Sequence, residues 1–170
     1  MHYKWIGAIL IVVGCGGFGF SIAAMQLREE RTLRQLIAAL DYMECELQYR
    51  LTPLPELCRQ AGSDARGCIR DLFLCLAEEL DTQIAPDVDS CMSAAMGRVR
   101  EIPTRTREAL TLLGQTLGRF DLPGQLKGLD AVRATCRRRL EELTTNKEPR
   151  LRSYQTLGLC AGAALAILFI

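Results

Sequence analysis

The chain reads as two uncharged apolar belts enclosing a long segment in which apolar residues recur every three or four positions. The first belt covers residues 5–27 and contains "IGAILIVVGCGGFGF", residues 6–20. At about 1.5 Å of rise per residue, a helix over this stretch covers a hydrocarbon core of roughly 30 Å. The second belt, residues 153–170, ends in "LGLCAGAALAILFI" and sits at the lower limit of spanning length. Every Asp and Glu, and every Lys and Arg except Lys4, falls between residues 28 and 152. The pattern therefore predicts an all-α protein: a transmembrane helix over 1–27, a helical bundle domain over 28–152 and a second transmembrane helix over 153–170.

Within the central segment the periodicity predicts six helices. Leu33, Leu36, Ile37, Leu40, Met43 and Leu47 share one helical face, so the first bundle helix continues out of the first belt to about Leu51. "TPLPE", residues 52–56, starts the next, with Thr52 as N-cap, Pro53 at the first helical position and Pro55 in the turn whose amides lack intrahelical partners. Gly62 is the expected stop. A third helix carries Ile69, Leu72, Phe73, Leu76 and Leu80; a fourth lies between Pro86 and Arg100, and a fifth runs from Thr104 to about Gly118. Asp121 is a good N-cap for the last, where Leu122, Leu129, Cys136 and Leu143 recur at seven-residue spacing beside Leu126 and Leu140. Pro149 should break or kink that helix before the second belt.

Composition supports helices: residues 28–152 hold 21 Leu against 7 Ile plus Val, a balance poor for strands. It also decides how the glycines of the first belt are read. Gly14, Gly16 and Gly19 match GxGxxG, but a dinucleotide turn needs a strand before it, a helix after it and a second strand leading to an acid about 20 residues on. Asp41 stands at that distance on a helical pattern, so the match lacks its context. Two processed forms compete with a retained helix: "VVGC" resembles a lipobox with Cys15 as the lipidated residue, and "SIAA" resembles a cleavage site. The uninterrupted apolar run favours a spanning helix.

Arg28, Arg31 and Arg34 follow the first belt, and Arg137, Arg138, Arg139, Lys147, Arg150 and Arg152 precede the second. By the positive-inside rule the central domain is cytoplasmic. Arg137–Arg139 suit lipid headgroups near a membrane, which makes membrane lipids an expected partner. The same segment holds 20 basic and 20 acidic residues, which argues against a nucleic-acid partner. None of the eight cysteines forms a C-x-x-C pair and the sole histidine is His2, so no metal set assembles by spacing; the cysteines read as reduced core and membrane residues. Without a histidine in the domain, His-based catalysis is excluded. Acid pairs such as Glu78 with Glu79, or Asp87 with Asp89, suit solvated faces and caps better than acid–base work. No catalytic residue, cofactor site or metal site is expected. In the belts, Cys15, Gly19 and Ala23, and likewise Gly158, Gly162 and Ala166, fall four apart, a spacing that lets membrane helices approach closely.

The order of parts resembles a known family. "IGAILIVVGCGGFGFSIA", then "LRQLIAALDYMECELQY" leading into "TPLPE", then "LLGQTLGRFDLPGQ" and a basic helix before the apolar tail, is similar to stage III sporulation protein AB of endospore-forming bacteria. The most specific pieces are Thr52, Pro53, Pro55 and Glu56 of "TPLPE", and the pattern formed by Leu113, Gly114, Leu117, Gly118, Asp121 and Gln125. Pro149 departs from the more continuous last helix that the resemblance implies. The resemblance further implies a non-catalytic platform subunit of the secretion-like sporulation channel, similar to the inner-membrane platform proteins of type II secretion and type IV pilus machines. It would sit in the mother-cell membrane facing the forespore. Its implied partners are other stage III sporulation channel proteins, including the secretion-type ATPase, stage III sporulation protein AA; the small-residue stripes of the belts are compatible with pairing within one chain or between copies in a homo-oligomer.

Overall fold

The computed structural model describes residues 2–82, 86–118 and 121–145, with side chains from residue 24 onward. Six helices follow one another: α1 His2–Tyr49, α2 Leu54–Asp64, α3 Cys68–Thr82, α4 Val88–Arg98, α5 Thr104–Thr116 and α6 Leu122–Thr145. The described residues contain no strand. α1 is a single helix of 48 residues, the expected continuation of the first belt into the bundle. Among the described residues no helix is long and apolar enough to cross a membrane. The side chains of Cys15, Gly19 and Ala23, and Pro149, Gly158, Gly162 and Ala166 altogether, lie outside the described residues. The chain falls into two units, Glu29–Leu140 and the pair of segments Met1–Arg28 and Glu141–Ile170. In the second unit Met25 and Leu27 are exposed.

In the first unit the helices run up and down, and named contacts give the register. Thr52 reaches Glu46 near the start of α2, and the Arg66 amide reaches Gln35 Oε1 at 3.0 Å beyond its end, so α2 is antiparallel to α1. Arg59 pairs with Asp81 while Gly62 lies against Phe73, which turns α3 back along α2. Gly118 lies against Val88 and Gly114 against Met92, setting α5 antiparallel to α4. Gly128 lies against Thr116, and Arg139 bonds the Arg105 carbonyl and Glu108, setting α6 antiparallel to α5. Arg133 closes the arrangement by pairing with Asp41 at 2.9 Å and with Glu44, both on α1. The bundle thus has an entry end, formed by α1 from Glu29, the α2–α3 and α4–α5 turns and α6 up to Leu140. Its opposite, closed end is formed by the α1–α2 and α5–α6 turns and the start of α4.

The core follows the periodic apolar positions. Leu33, Leu36, Leu40, Met43 and Leu47 of α1 are buried, as are Ile69, Leu72, Phe73 and Leu76 of α3. Ile37 and Leu80 are only half-buried. On α6 burial concentrates at Leu129, Val132 and Cys136, so Val132, which the seven-residue spacing omits, replaces the ends of the expected seam. Each fully buried leucine contributes roughly 1.5–3 kcal/mol by leaving water. The described cysteines are free; Cys58, Cys91 and Cys136 are buried while Cys45 is exposed and is not a core residue.

Gly62 does not end α2. The helix continues to Asp64, and a Cβ on Gly62 would stand 3.2 Å from Phe73 Cβ, so the glycine allows α2 and α3 to approach. The chain turns instead at Gly67, with φ of +63°.

Candidate interaction site at the closed end of the bundle

At the closed end, α1 finishes on a tight cap. The amides of Arg50 and Leu51 both donate to the Glu46 carbonyl, at 2.9 and 3.1 Å. Leu51 takes a φ of +51°, a left-handed conformation that glycine usually fills at helix ends. Thr52 is not the N-cap of α2. Its hydroxyl donates to Glu46 Oε2 at 3.0 Å, holding the incoming chain to the end of α1. The cap position falls on Pro53, whose carbonyl accepts the Leu57 amide at 2.9 Å and which makes no side-chain cap bond. Proline fits because its fixed φ suits the entry to the helix. Pro55 then sits in the first turn, where a missing amide leaves nothing unpaired.

Glu56 faces along α2 rather than back to the cap. Its carboxylate accepts Gln60 Nε2 at 2.9 Å and Arg59 Nη1 at 2.5 Å, and these bonds, Gln60 first, hold its pKa below the ordinary carboxyl range. Gln60 in turn accepts the Tyr42 hydroxyl of α1 at 2.6 Å. Burial, with Glu46 as the next cause, raises the Tyr42 phenol above its usual value.

The second motif packs against α4. Leu113 and Leu117 are buried, and the Leu117 amide donates to the Leu113 carbonyl at 3.0 Å. A Cβ on Gly114 would stand 2.9 Å from Met92 Cβ and 3.2 Å from Asp89 Oδ1. Gly118 has φ of +70°, and a Cβ there would stand 2.7 Å from Val88 Cγ2 and 3.7 Å from Leu54 Cδ2. Leu54 lies in "TPLPE", so the turn after α5 brings the two motifs together. Asp121 caps α6 as expected: its Oδ1 accepts the Gly124 amide at 3.2 Å and its carbonyl the Gln125 amide at 2.9 Å. Gly128 extends this pattern into α6, where a Cβ would stand 2.7 Å from Thr116 Cβ. Its spacing from Gly118 gave no sign of that role, because the approach is made across two helices.

The arrangement holds shape. Asp87 Oδ1 accepts the Ser90 amide at 2.9 Å and caps α4. Glu78 and Glu79 both bind Arg98, at 3.0 and 3.1 Å, and so tie α3 to α4. Among the described residues no group of His, Cys, Asp and Glu could hold a metal ion. Burial pushes the Cys58 thiol up to about 12 and the Cys136 thiol up to about 11, leaving both protonated and unreactive at neutral pH. Among the described residues, Tyr49 and Leu51 are the large apolar residues that face solvent at the closed end, 77% and 66% exposed.

Comparison with known proteins agrees with the motifs. The chain is 25% identical over 170 residues to stage III sporulation protein AB of Bacillus subtilis (strain 168), covering 98% of this chain and 99% of that protein. A solved structure of stage III sporulation protein AB superimposes with a TM-score of 0.63 at 22% identity, covering 71% of this chain and 96% of the other, a likeness of fold. The family model of stage III sporulation protein AB matches residues 4–170. A match over almost the whole length, including both motif segments, assigns this chain to the stage III sporulation protein AB family.

Proposed function

We propose that the chain is a non-catalytic scaffold subunit of a secretion-like sporulation channel, held in the mother-cell membrane by its two belts. In this reading the closed end of the bundle is offered in the cytoplasm to a secretion-type ATPase, stage III sporulation protein AA. The observation that carries it is the meeting of "TPLPE" with the Gly114–Gly118 segment at the end of the bundle opposite the chain's entry and exit. Caps, ion pairs and close helix contacts occupy the polar groups there, which suits a surface that presents a fixed shape. The unbroken helix from His2 to Tyr49 favours a retained anchor over a lipidated or cleaved N-terminus.

Leu51 supplies a clean test. Leu51→Gly removes an exposed apolar side chain and relieves a left-handed residue, so it should not destabilise the bundle. Full-length tagged protein purified from sporulating cells should recover the ATPase, and Leu51→Gly combined with Tyr49→Ala should lose it while remaining in the membrane fraction. Equal ATPase recovery from both proteins would remove the closed end from the contact. Recovery of the wild-type protein in the soluble fraction would reject the anchored scaffold itself.

A further inference from the structure

Arginines without a carboxylate partner are not scattered over the bundle. Arg34, Arg50, Arg59, Arg98, Arg105, Arg133, Arg137 and Arg139 each lie within 4 Å of a carboxylate oxygen, those of Arg34, Arg50, Arg105 and Arg137 belonging to Glu30, Glu46, Glu29 and Asp41. Arg31, Arg66, Arg70, Arg100, Arg107 and Arg138 have no carboxylate partner among the described residues, and all six are exposed. Arg31 lies at the start of the bundle part of α1, Arg66 and Arg70 at the α2–α3 turn, Arg100 and Arg107 at the α4–α5 turn, and Arg138 near the end of α6.

These places belong to one end. The Arg66 amide bonds Gln35 of α1, and Thr32 Oγ1 lies 3.9 Å from Cys68 Sγ, which brings the α2–α3 turn beside residues 32–35 of α1. Glu29 lies 3.9 Å from Arg105 Nε, which brings α5 there. Arg139 holds Glu108 at 2.6 Å, which adds α6. Asp64 and Asp71 offset part of the charge of the six arginines but leave a cationic excess. At the closed end only Lys127 among the described cations lacks a carboxylate partner.

We infer that the entry end is a docking face for anionic phospholipid headgroups. The inference rests on the membrane reading of the two belts, because the chain enters the bundle at Glu29 and leaves it at Leu140 on this same face. A guanidinium already paired with a carboxylate has little left to offer a phosphate, whereas an exposed unpaired one can bind its oxygens through two N–H groups. Each basic residue close to an anionic leaflet strengthens attachment by roughly five-fold, and the effect vanishes beyond a Debye length. Several arginines on one face therefore act together in binding anionic headgroups.

The test uses the full-length protein in nanodiscs of phosphatidylcholine alone or mixed with phosphatidylglycerol. Hydroxyphenylglyoxal modification is read residue by residue by mass spectrometry. Arg66, Arg70, Arg100 and Arg107 should react several-fold more slowly in the anionic discs, with the protection lost in high salt, while Arg50 at the closed end reacts equally in both. In Arg66→Gln/Arg70→Gln/Arg107→Gln, the protection of Arg100 should fall as well. Equal reactivity in the two lipids, for protein that resists alkaline extraction from the discs, would overturn the headgroup face and leave the anchor standing. Equal protection by inorganic phosphate or by a DNA duplex in neutral discs would overturn it in favour of a general anion or nucleic-acid surface. Release of the protein by alkaline extraction would reject the anchor on which the inference rests.

Discussion

Gly118 joins the two motif segments, and its replacement by alanine isolates the physical reason it is glycine. Two penalties act together. The residue has φ of +70°, where an L side chain crowds its own backbone at a cost of about 1–2 kcal/mol. The new Cβ would also stand 2.7 Å from Val88 Cγ2. Val88 is β-branched with few alternative rotamers, so relief requires a shift between α4 and the α5–α6 turn, for which about 1–2 kcal/mol is reasonable. Gly118→Ala should therefore destabilise the bundle by about 2–4 kcal/mol, a large part of the 5–15 kcal/mol typical of a domain. Gly97→Ala provides a control of opposite sign. Gly97 lies in α4 with nothing within 4 Å of its Cβ position, so alanine should stabilise by about 0.5–1 kcal/mol through helix propensity. Urea denaturation of a fragment spanning residues 28–152, followed by circular dichroism, measures both. A neutral or stabilising Gly118→Ala would refute the argument, as would a loss for both variants equally.

Asp121→Ala removes the acceptor of the Gly124 amide and should lower stability by about 1 kcal/mol in the same assay, with Asp121→Asn restoring most of it. Cys58 makes stability depend on alkaline pH. Burial raises its thiol to about 12, while in the unfolded chain it titrates near its ordinary value of about 8.5. The native state then keeps a proton that the unfolded state has lost, so this contribution is complete below about pH 8.5 and declines by about 1.4 kcal/mol per unit as pH rises towards 12. Between pH 9 and 11 wild type should lose stability more steeply than Cys58→Ala; parallel curves would show that the folded thiol titrates normally.

Much of this fold was legible in the order of residues because helix formation is governed by local rules. The 3.6-residue period placed Leu33, Leu36, Leu40 and Met43 on one buried face, and Asp121, followed by an apolar repeat, marked the start of α6. The long helix through the first belt was equally local, since no proline or acid interrupts residues 5–27. The family could be named from "TPLPE" and the spaced glycines, though neither pattern stated its own physical purpose.

Tertiary structure decided what those residues do. Thr52 satisfies the local rule for an N-cap, yet Glu46 on the preceding helix takes its hydroxyl and the cap passes to Pro53. Gly62 satisfies the rule for a stop, yet Phe73 lies against it and the helix continues. Gly114, Gly118 and Gly128 are glycines because of Met92, Val88 and Thr116, which lie on other helices and at no fixed spacing in sequence. The pairing of Arg98, Arg105, Arg133 and Arg139 was hidden for the same reason, since each takes a partner on the helix packed beside it, whereas Arg34 and Arg50 pair with acids one turn away on their own helix. Sequence alone therefore determined which segments are helical and which faces are apolar, since both depend on neighbours within about one turn. The packed bundle determined where helices approach closely and which arginines bridge them, because these are contacts between residues far apart in the chain.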